Sequence, residues 1–227
     1  MKHKPKVTVV VPALNEEAHI ARCLSALTSQ DYTGPLEVIV VNNGSKDQTA
    51  DIAGTFPVKL INEPEAGVVH ARIKGFTQAE GEIIISTDAD TVAPPDWVRS
   101  YVERFSDEKV DAVIGRFEYH DASVWKEHIG AFLTPLGLKV DRLIGGHFSG
   151  CNFAIRKAAY KGCGGFDKNL HYGEDFELTN RLRRHGYTTV VARDITVSTS
   201  ARQFSRHFRK VMFNLIWLSV FERPAIK

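Results

Sequence analysis

The sequence is short of several things. Of its 227 residues only three are cysteines, Cys23, Cys151 and Cys163. The number is odd and no two of them stand as C-x-x-C, which argues against a disulfide framework and a structural zinc site and suits a reducing compartment. An excess of charge of one sign is missing too. With 29 basic and 27 acidic residues the net charge is +2, far from the basic footprint of a nucleic-acid-binding domain. Nor is there a long apolar run. A membrane span needs roughly 18–20 apolar residues; the longest candidate, Val211 to Phe221, is about half that length and is broken by Asn214 and Ser219. The charged start Met-Lys-His-Lys-Pro-Lys leads into a strand-like run, Val7–Val11, and not into the apolar region of a secretory signal. Repeats and low-complexity segments are lacking as well. Together these gaps point to a cytoplasmic, non-spanning protein, with contact at the inner face of a membrane left open.

What is present is enough apolar content, 43%, for one sizeable core, arranged in a regular alternation. Val7–Val11 reads as a strand buried on both faces. Asn15 is placed to cap the helix after it, with Glu16 and Glu17 in the first turn and Ile20, Cys23, Leu24 and Leu27 on one face. A second strand, Glu37–Val41, runs into Asn42-Asn43-Gly44-Ser45; a short helix ends at Gly54. Val58–Ile61, a helix over 68–79 and Glu82–Ser86 complete three strand–helix units and a fourth strand. Such alternation implies right-handed crossovers and an α/β, doubly wound, mostly parallel sheet. Ligands bind such sheets beyond the carboxyl ends of the strands, so Pro12–Asn15, Asn42–Ser45 and Thr87–Asp90 are expected to meet in one crevice.

The second half is expected to be α+β and to lean on the first within one domain, 1–115 forming one functional half and 116–227 the other. A helix begins at Pro94-Pro95-Asp96 and Val110–Ile114 is strand-like. Phe117–His147 is irregular and is expected to shape an acceptor site. Ser149–Arg156 reads as a strand, Gly162–Gly165 as a compact turn, Glu174–His185 as a helix and Thr188–Ala192 as a strand. Gln203–Phe221 is an amphipathic helix with Phe204, Phe208, Val211, Met212 and Leu215 in its apolar stripe.

Two constellations carry chemistry. Asp88-Ala89-Asp90 puts two carboxylates at a strand end, where Mg²⁺ or Mn²⁺ can share them with substrate phosphates, Asp90 on the metal and Asp88 on the metal or a ribose hydroxyl. The same residues also read as a polar turn before the Pro94 helix. Gly173-Glu174-Asp175-Phe176-Glu177 places three acids at a helix start. The carboxylates compensate the helix dipole there, and Asp175 can alternatively serve as a general base for a hydroxyl nucleophile. Arg72 reaches a diphosphate, a crevice carboxylate such as Asp88, or water. Asn43 offers an amide to a nucleobase edge, or is an ordinary turn residue before glycine. Arg202, Arg206, Arg209 and Lys210 form a polar helix face, a diphosphate clamp or a contact with anionic lipid; a dimer interface explains Trp217 and Phe221 equally well.

The order of these motifs resembles the family 2 glycosyltransferases of GT-A fold, from Val7 to about Phe208. Val9-Val-Val-Pro12-Ala13-Leu14-Asn15-Glu16 is similar to the family's opening strand and turn, which hold the nucleobase. Val40-Val-Asn42-Asn43-Gly44-Ser45 is similar to its second motif, where many members have Asp at the Asn43 position. Ala71-Arg72-Ile-Lys-Gly75 and Asp88-Ala89-Asp90 match the run into its metal motif. Phe148-Ser-Gly150-Cys-Asn152 looks like its acceptor-side stretch, Gly173-Glu174-Asp175 its catalytic helix, and Thr199-Ser-Ala-Arg202 an element whose arginine faces the phosphates. Gln203 and Arg206 only half echo the Gln-x-x-Arg-Trp of processive synthases, since His207 follows.

The resemblance implies an inverting, non-processive transfer of a sugar from a nucleoside-diphosphate donor, with Asp175 as base and a divalent cation on Asp90 and Asp88. Pro12, Ala13, Leu14, Glu16, Asn43, Arg72, Asp88 and Ala89 would hold the donor. Asn152, Glu174, Arg202 and Arg206 would meet the acceptor, a glycan, a lipid-linked group or a small molecule, or the diphosphate. Two other classes fit less well. A sugar nucleotidyltransferase and an NAD-binding enzyme both want a glycine-rich loop after the first strand, and Ala13-Leu14-Asn15-Glu16-Glu17 has no glycine. A non-catalytic nucleotide-sugar-binding protein of the same fold would have no reason to keep Asp88, Asp90 and Asp175 together.

Overall fold

In the computed structural model the described residues are 4–120, 146–170 and 173–202. The β-branched run Val7–Ala13 forms β1, buried along its whole length. After it come α1 (Ile20–Thr28), β2 (Leu36–Asn42), α2 (Thr49–Gly54), β3 (Lys59–Asn62), α3 (Val68–Gln78), β4 (Ile83–Ser86) and α4 (Trp97–Arg104). The remaining described elements are β5 (Ala112–Tyr119), β6 (Phe153–Arg156), α5 (Lys157–Gly162), α6 (Glu174–Arg184) and β7 (Thr189–Thr199). The seven strands make one sheet in the order β3-β2-β1-β4-β6-β5-β7. The pairs β1/β2, β1/β4, β2/β3 and β5/β7 are parallel, and only β6 runs against its neighbours β4 and β5.

Alternation of side chains along each strand divides the core into two layers. Val7, Val9 and Val11 face Ile20, Leu24 and Leu27 of α1 and Trp97, Val98 and Tyr101 of α4. Val10, Ile39 and Val41 face Phe76 of α3, Tyr160 of α5 and Leu178 and Leu182 of α6. A sheet covered on both faces explains why its central strands read as continuous apolar runs.

The expected elements occur, with four differences. α1 starts at Ile20 with no side-chain cap. Asn15 does not cap it: with φ 55° it turns away, and its Oδ1 accepts a hydrogen bond from Lys46 N at 2.8 Å. β6 begins at Phe153, because Ser149–Asn152 form a turn closed by Asn152 N to Ser149 O at 2.8 Å. β7 is longer than the run Thr188–Ala192; it continues to Thr199, past a register shift opposite Ile114–Arg116. α5 has no counterpart in the reading above, being a six-residue helix whose Ala-Ala-Tyr core gives too short a period to detect. Most of Phe117–His147 and the whole of Gln203–Phe221 lie outside the described residues.

Candidate active site

The crevice is assembled from the carboxyl ends of β1, β2 and β4. Backbone bonds knit the first two loops: Asn43 N donates to Ala13 O at 2.9 Å, and Asn15 N to Ser45 Oγ at 3.1 Å. Glu16 N donates to Thr49 Oγ1 at 2.7 Å. Pro12 and Ala13 are buried as the end of β1, whereas Leu14 projects and is 49% exposed. The third loop starts where Thr87 N donates to Val10 O at 3.1 Å, which delivers Asp88-Ala89-Asp90 beside the first. Ala89, between the two carboxylates, is buried.

Asp88 faces Arg72. The guanidinium of Arg72 donates through Nη2 to Asp88 Oδ1 at 2.8 Å and through Nη1 to Glu174 Oε1. The Arg72 and Glu174 side chains are only 6% and 4% exposed. Such a pair survives desolvation only because each charge has a partner, and its two carboxylate neighbours raise the Arg72 pKa against the effect of burial. The bridge ties α3 of the first half to the start of α6 in the second. Gly150 makes room for it: a Cβ there would fall within collision distance of the guanidinium. Ser86 Oγ donates to Gly150 O at 2.9 Å and fixes that turn to the end of β4.

Asp175, next to Glu174, has one oxygen on each of two backbone amides. Gly150 N donates to Oδ2 at 2.9 Å and Phe176 N to Oδ1 at 2.8 Å. The carboxylate is therefore held in one rotamer with lone pairs to spare. Its pKa is raised, first by burial and then by Glu174, against the lowering effect of Arg72 and the two amides. A carboxylate with a raised pKa is a stronger base than one free in water.

Asp90 is the buried member of the pair, and its Oδ1 accepts from Thr199 Oγ1 at 3.2 Å. Burial, then Asp88 and Glu16, push its pKa up to about 7, with Thr199 and Arg202 acting the other way. Arg202 Nη2 donates to Glu16 Oε1 and Oε2, each at 2.6 Å. So Glu16, Asp88 and Asp90 bring three negative groups to one side of the crevice, with Arg202 at its rim. Among the described residues no cluster of three or more His, Cys, Asp or Glu side chains is arranged to hold a metal unaided. Two carboxylates with open positions for phosphate oxygens are nevertheless the usual setting for Mg²⁺ or Mn²⁺, and the hard oxygen donors of Asp88 and Asp90 fit such an ion.

Two expected site residues have side chains engaged by other parts of the chain. Asn152 is fully buried: its Oδ1 accepts from Trp97 Nε1 at 2.8 Å and Tyr101 Oη at 2.7 Å, and its Nδ2 donates to Arg116 O and Ile195 O. It joins α4, β5 and β7, with no group left to meet an acceptor. Asn43 is also buried, its amide occupied by the segment 63–67. Arg206 lies outside the described residues. Sequence reasoning passed over Gly150 and Thr199 as contacts of the two key aspartates. Gly150 carries no chemical signal in a motif, and Thr199 reaches Asp90 only because β7 runs further than its apolar pattern.

Comparison with known proteins agrees with this geometry. Residues 8–164 match the family described as Glycosyl transferase family 2. Glycosyltransferase AglE of Haloferax volcanii is 31% identical over 215 residues, covering 91% of this chain and 70% of AglE. The probable glycosyltransferase YdaM of Bacillus subtilis is 34% identical over 209 residues; the match covers 82% of the chain and about half, 49%, of YdaM. Among solved structures, mannosyltransferase PcManGT from Pyrobaculum calidifontis, in complex with GDP-Man and Mn2+, superposes with a TM-score of 0.72 at 26% identity, covering 98% of this chain and 67% of that one. Seven strands in a mixed sheet between helices, with its loops gathered over the ends of β1, β2 and β4, are the GT-A arrangement, and this chain belongs to glycosyl transferase family 2, a family of glycosyltransferases.

Proposed function

We propose that the chain transfers a sugar from a nucleoside-diphosphate donor to an acceptor hydroxyl, with inversion at the anomeric carbon. The observation that carries this reading is the Arg72 bridge, which draws Asp88 of the donor-side turn and the Glu174–Asp175 helix start into one crevice. The GDP-Man and Mn2+ of PcManGT support a nucleotide sugar and a divalent cation as its ligands.

In the reaction Asp175, steadied by the Gly150 and Phe176 amides, takes the proton of the acceptor hydroxyl. The oxygen then attacks the anomeric carbon, its new bond forming as the bond to the diphosphate breaks. Asp90 and Asp88 would hold a divalent cation, which when bound neutralises charge on the departing nucleoside diphosphate. Arg202 exchanges part of its contact with Glu16 for the diphosphate, while Arg72 keeps Asp88 turned toward the ribose. Pro12, Ala13 and Leu14 form the floor under the nucleoside. The acceptor is a glycan, a lipid-linked group or a small hydroxyl compound. Among the described residues no helix is long and apolar enough to cross a membrane; membrane contact or self-association belongs to the segment 203–221.

The test is a panel of nucleoside diphosphates and their sugars, scored by thermal stabilisation with and without Mn²⁺ and then by turnover. Ligand present at about 100 times Kd stabilises by about 2.7 kcal/mol. A Mn²⁺-dependent shift with at least one nucleotide, and release of that nucleoside diphosphate on adding acceptor, is the expected result. If no nucleotide shifts the transition in either condition, the reading is wrong; a shift without turnover of any donor would make the chain a binding protein.

A further inference from the structure

Asn152 closes the Ser149–Asn152 turn and leads into β6, at the end of the sheet where β4 delivers Asp88 and Asp90. Its side chain is fully buried, and all four of its hydrogen-bonding positions are filled. Oδ1 accepts from Trp97 Nε1 and Tyr101 Oη of α4, and Nδ2 donates to Arg116 O at 2.5 Å and Ile195 O at 3.1 Å. Those two carbonyls flank a break in the sheet: β5 advances from Ile114 to Arg116 while β7 advances from Val191 to Thr196. An irregularity of this kind disrupts the ladder and re-aims the residues beyond it. Nδ2 spans it with one carbonyl from each strand. Beyond the break, Val92 N donates to Ser198 O at 2.7 Å and Ser198 N to Val92 O at 3.0 Å. Thr199 Oγ1 accepts from Thr91 Oγ1 at 2.9 Å and reaches Asp90 Oδ1 at 3.2 Å. On the other side, Asn152 N donates to Ser149 O at 2.8 Å and closes the turn whose Gly150 amide holds Asp175. Gly115 leaves room for this hub, since a Cβ there would collide with Asn152 Nδ2.

We infer that Asn152 is a positioning residue that places two carboxylates at once, Asp175 through the Gly150 turn and Asp90 through the far part of β7. It acts only through these neighbours. This rests on the proposed transfer, which it deepens: one buried amide keeps the base and the metal-side carboxylate in a common frame. A primary amide suits the place because it accepts through one atom and donates through the other. Asn152→Asp keeps the acceptor for Trp97 and Tyr101 but opposes oxygen to the carbonyls of Arg116 and Ile195, and even a protonated carboxyl can donate to only one of them. Tyr101→Phe does the reverse: it removes a donor to Oδ1 and leaves Nδ2 across the break. Each variant loses buried hydrogen bonding, so each should unfold at lower urea concentration. A residue that merely packs the core would lower stability in both and leave the affinity and rate of the folded enzyme alone.

The experiment compares both variants with the unmodified full chain. Amide exchange needs no nucleotide. The Asn152 side-chain amide, Gly150 N and Ser198 N should be protected in the unmodified protein, and the two backbone amides should exchange about ten times faster in Asn152→Asp but not in Tyr101→Phe. Misplacing a catalytic group by about 1 Å costs about a hundredfold in rate, so kcat at saturating donor should fall by about that factor in Asn152→Asp. Mn²⁺-dependent binding of UDP or GDP should weaken about tenfold, as when a group supporting a metal ligand is lost. Tyr101→Phe should leave both nearly unchanged. A change in only one of the two quantities, or in neither, overturns the inference, as do equal losses in Tyr101→Phe. Rapid exchange of the Asn152 side-chain amide in the unmodified protein also overturns it, whether or not a variant folds. If Asn152→Asp does not fold, Gly115→Ala takes its place, because its Cβ displaces the same amide, and the same outcomes apply. If no nucleotide binds the unmodified chain, the transfer reading has failed, and exchange at Gly150 and Ser198 alone then decides whether Asn152 holds the two segments.

Discussion

Arg72 Nη2 lies 2.8 Å from Asp88 Oδ1 while the other end of the same guanidinium bonds Glu174, so one buried cation joins the donor-side turn to the helix of the proposed base. Removing it leaves Glu174 buried and unpaired. Breaking a buried pair in this way costs about 3–5 kcal/mol, so Arg72→Ala should lower the urea midpoint by a corresponding amount. Arg72→Lys should recover only part, because an ammonium is a point charge and cannot fork to two carboxylates. Adding Glu174→Gln to Arg72→Ala should restore stability without restoring activity. Equal stability of the single and double variants would show that Glu174 is not strained by the loss.

Gly150 offers a separate test of the same bridge. A methyl group there meets the Arg72 guanidinium, and the residue's own amide holds Asp175. Gly150→Ala should cost about 1–3 kcal/mol, the usual penalty for overpacking. Turnover should fall more than donor binding, since the base moves with the turn. A variant with unaltered turnover would show that the turn has slack and that Asp175 does not depend on it.

Much of this was legible in the sequence, and the exceptions have physical causes. The central strands were readable because burial on both faces makes them continuous apolar runs, and the meeting of Asp88 and Asp90 with the loops of β1 and β2 because crevices form beyond the carboxyl ends of parallel strands. Asp175 stood out only through the family resemblance, since acids at a helix start also compensate its dipole. Asn15, Asn43 and Asn152 were not readable. An asparagine caps, turns, braces or binds with the same side chain, and only its partners decide which. For Asn152 those partners are Trp97, Tyr101, Arg116 and Ile195, which sequence separation hides. The length of β7 was missed because its second part, beyond the exposed Arg193-Asp194, alternates buried and half-buried residues, with polar Thr196, Ser198 and Thr199 breaking the apolar run at the edge of the sheet.

The raised pKa of Asp90 gives a pH dependence with a definite sign. Its folded value of about 7 lies above the ordinary 3.8, so the group favours folding when protonated. That contribution is complete below about pH 4 and is lost as pH rises through about 7. Metal binding needs the deprotonated form and must release the proton. Mn²⁺-dependent nucleotide affinity should therefore strengthen from pH 6 to pH 8, by up to about tenfold per unit below the pKa. Calorimetric titrations at pH 6.5 in buffers of different ionisation enthalpy should reveal proton release that disappears in Asp90→Asn. An unchanged release in that variant would assign the titrating group elsewhere.

The role of Asp175 separates most cleanly from structure through its isosteric amide. Asp175→Asn keeps the shape and one acceptor oxygen, but its NH₂ must face either Gly150 N or Phe176 N, both of which now donate to carboxylate. Leaving one buried amide without an acceptor costs about 1–3 kcal/mol, a loss visible in thermal unfolding yet small enough for the protein to stay folded. Nucleotide affinity should be nearly unchanged, because the proposed donor contacts lie on Asp88, Asp90 and the loops of β1 and β2. Turnover should fall by about 10²–10⁴, the usual contribution of a general base. The loss should persist at raised pH, where the unmodified enzyme has its base fully ionised. Hydrolysis of the donor by water also needs a proton acceptor and should decline with transfer. Transfer within tenfold of the unmodified rate would remove Asp175 as the base and leave it as the anchor of the Gly150 turn.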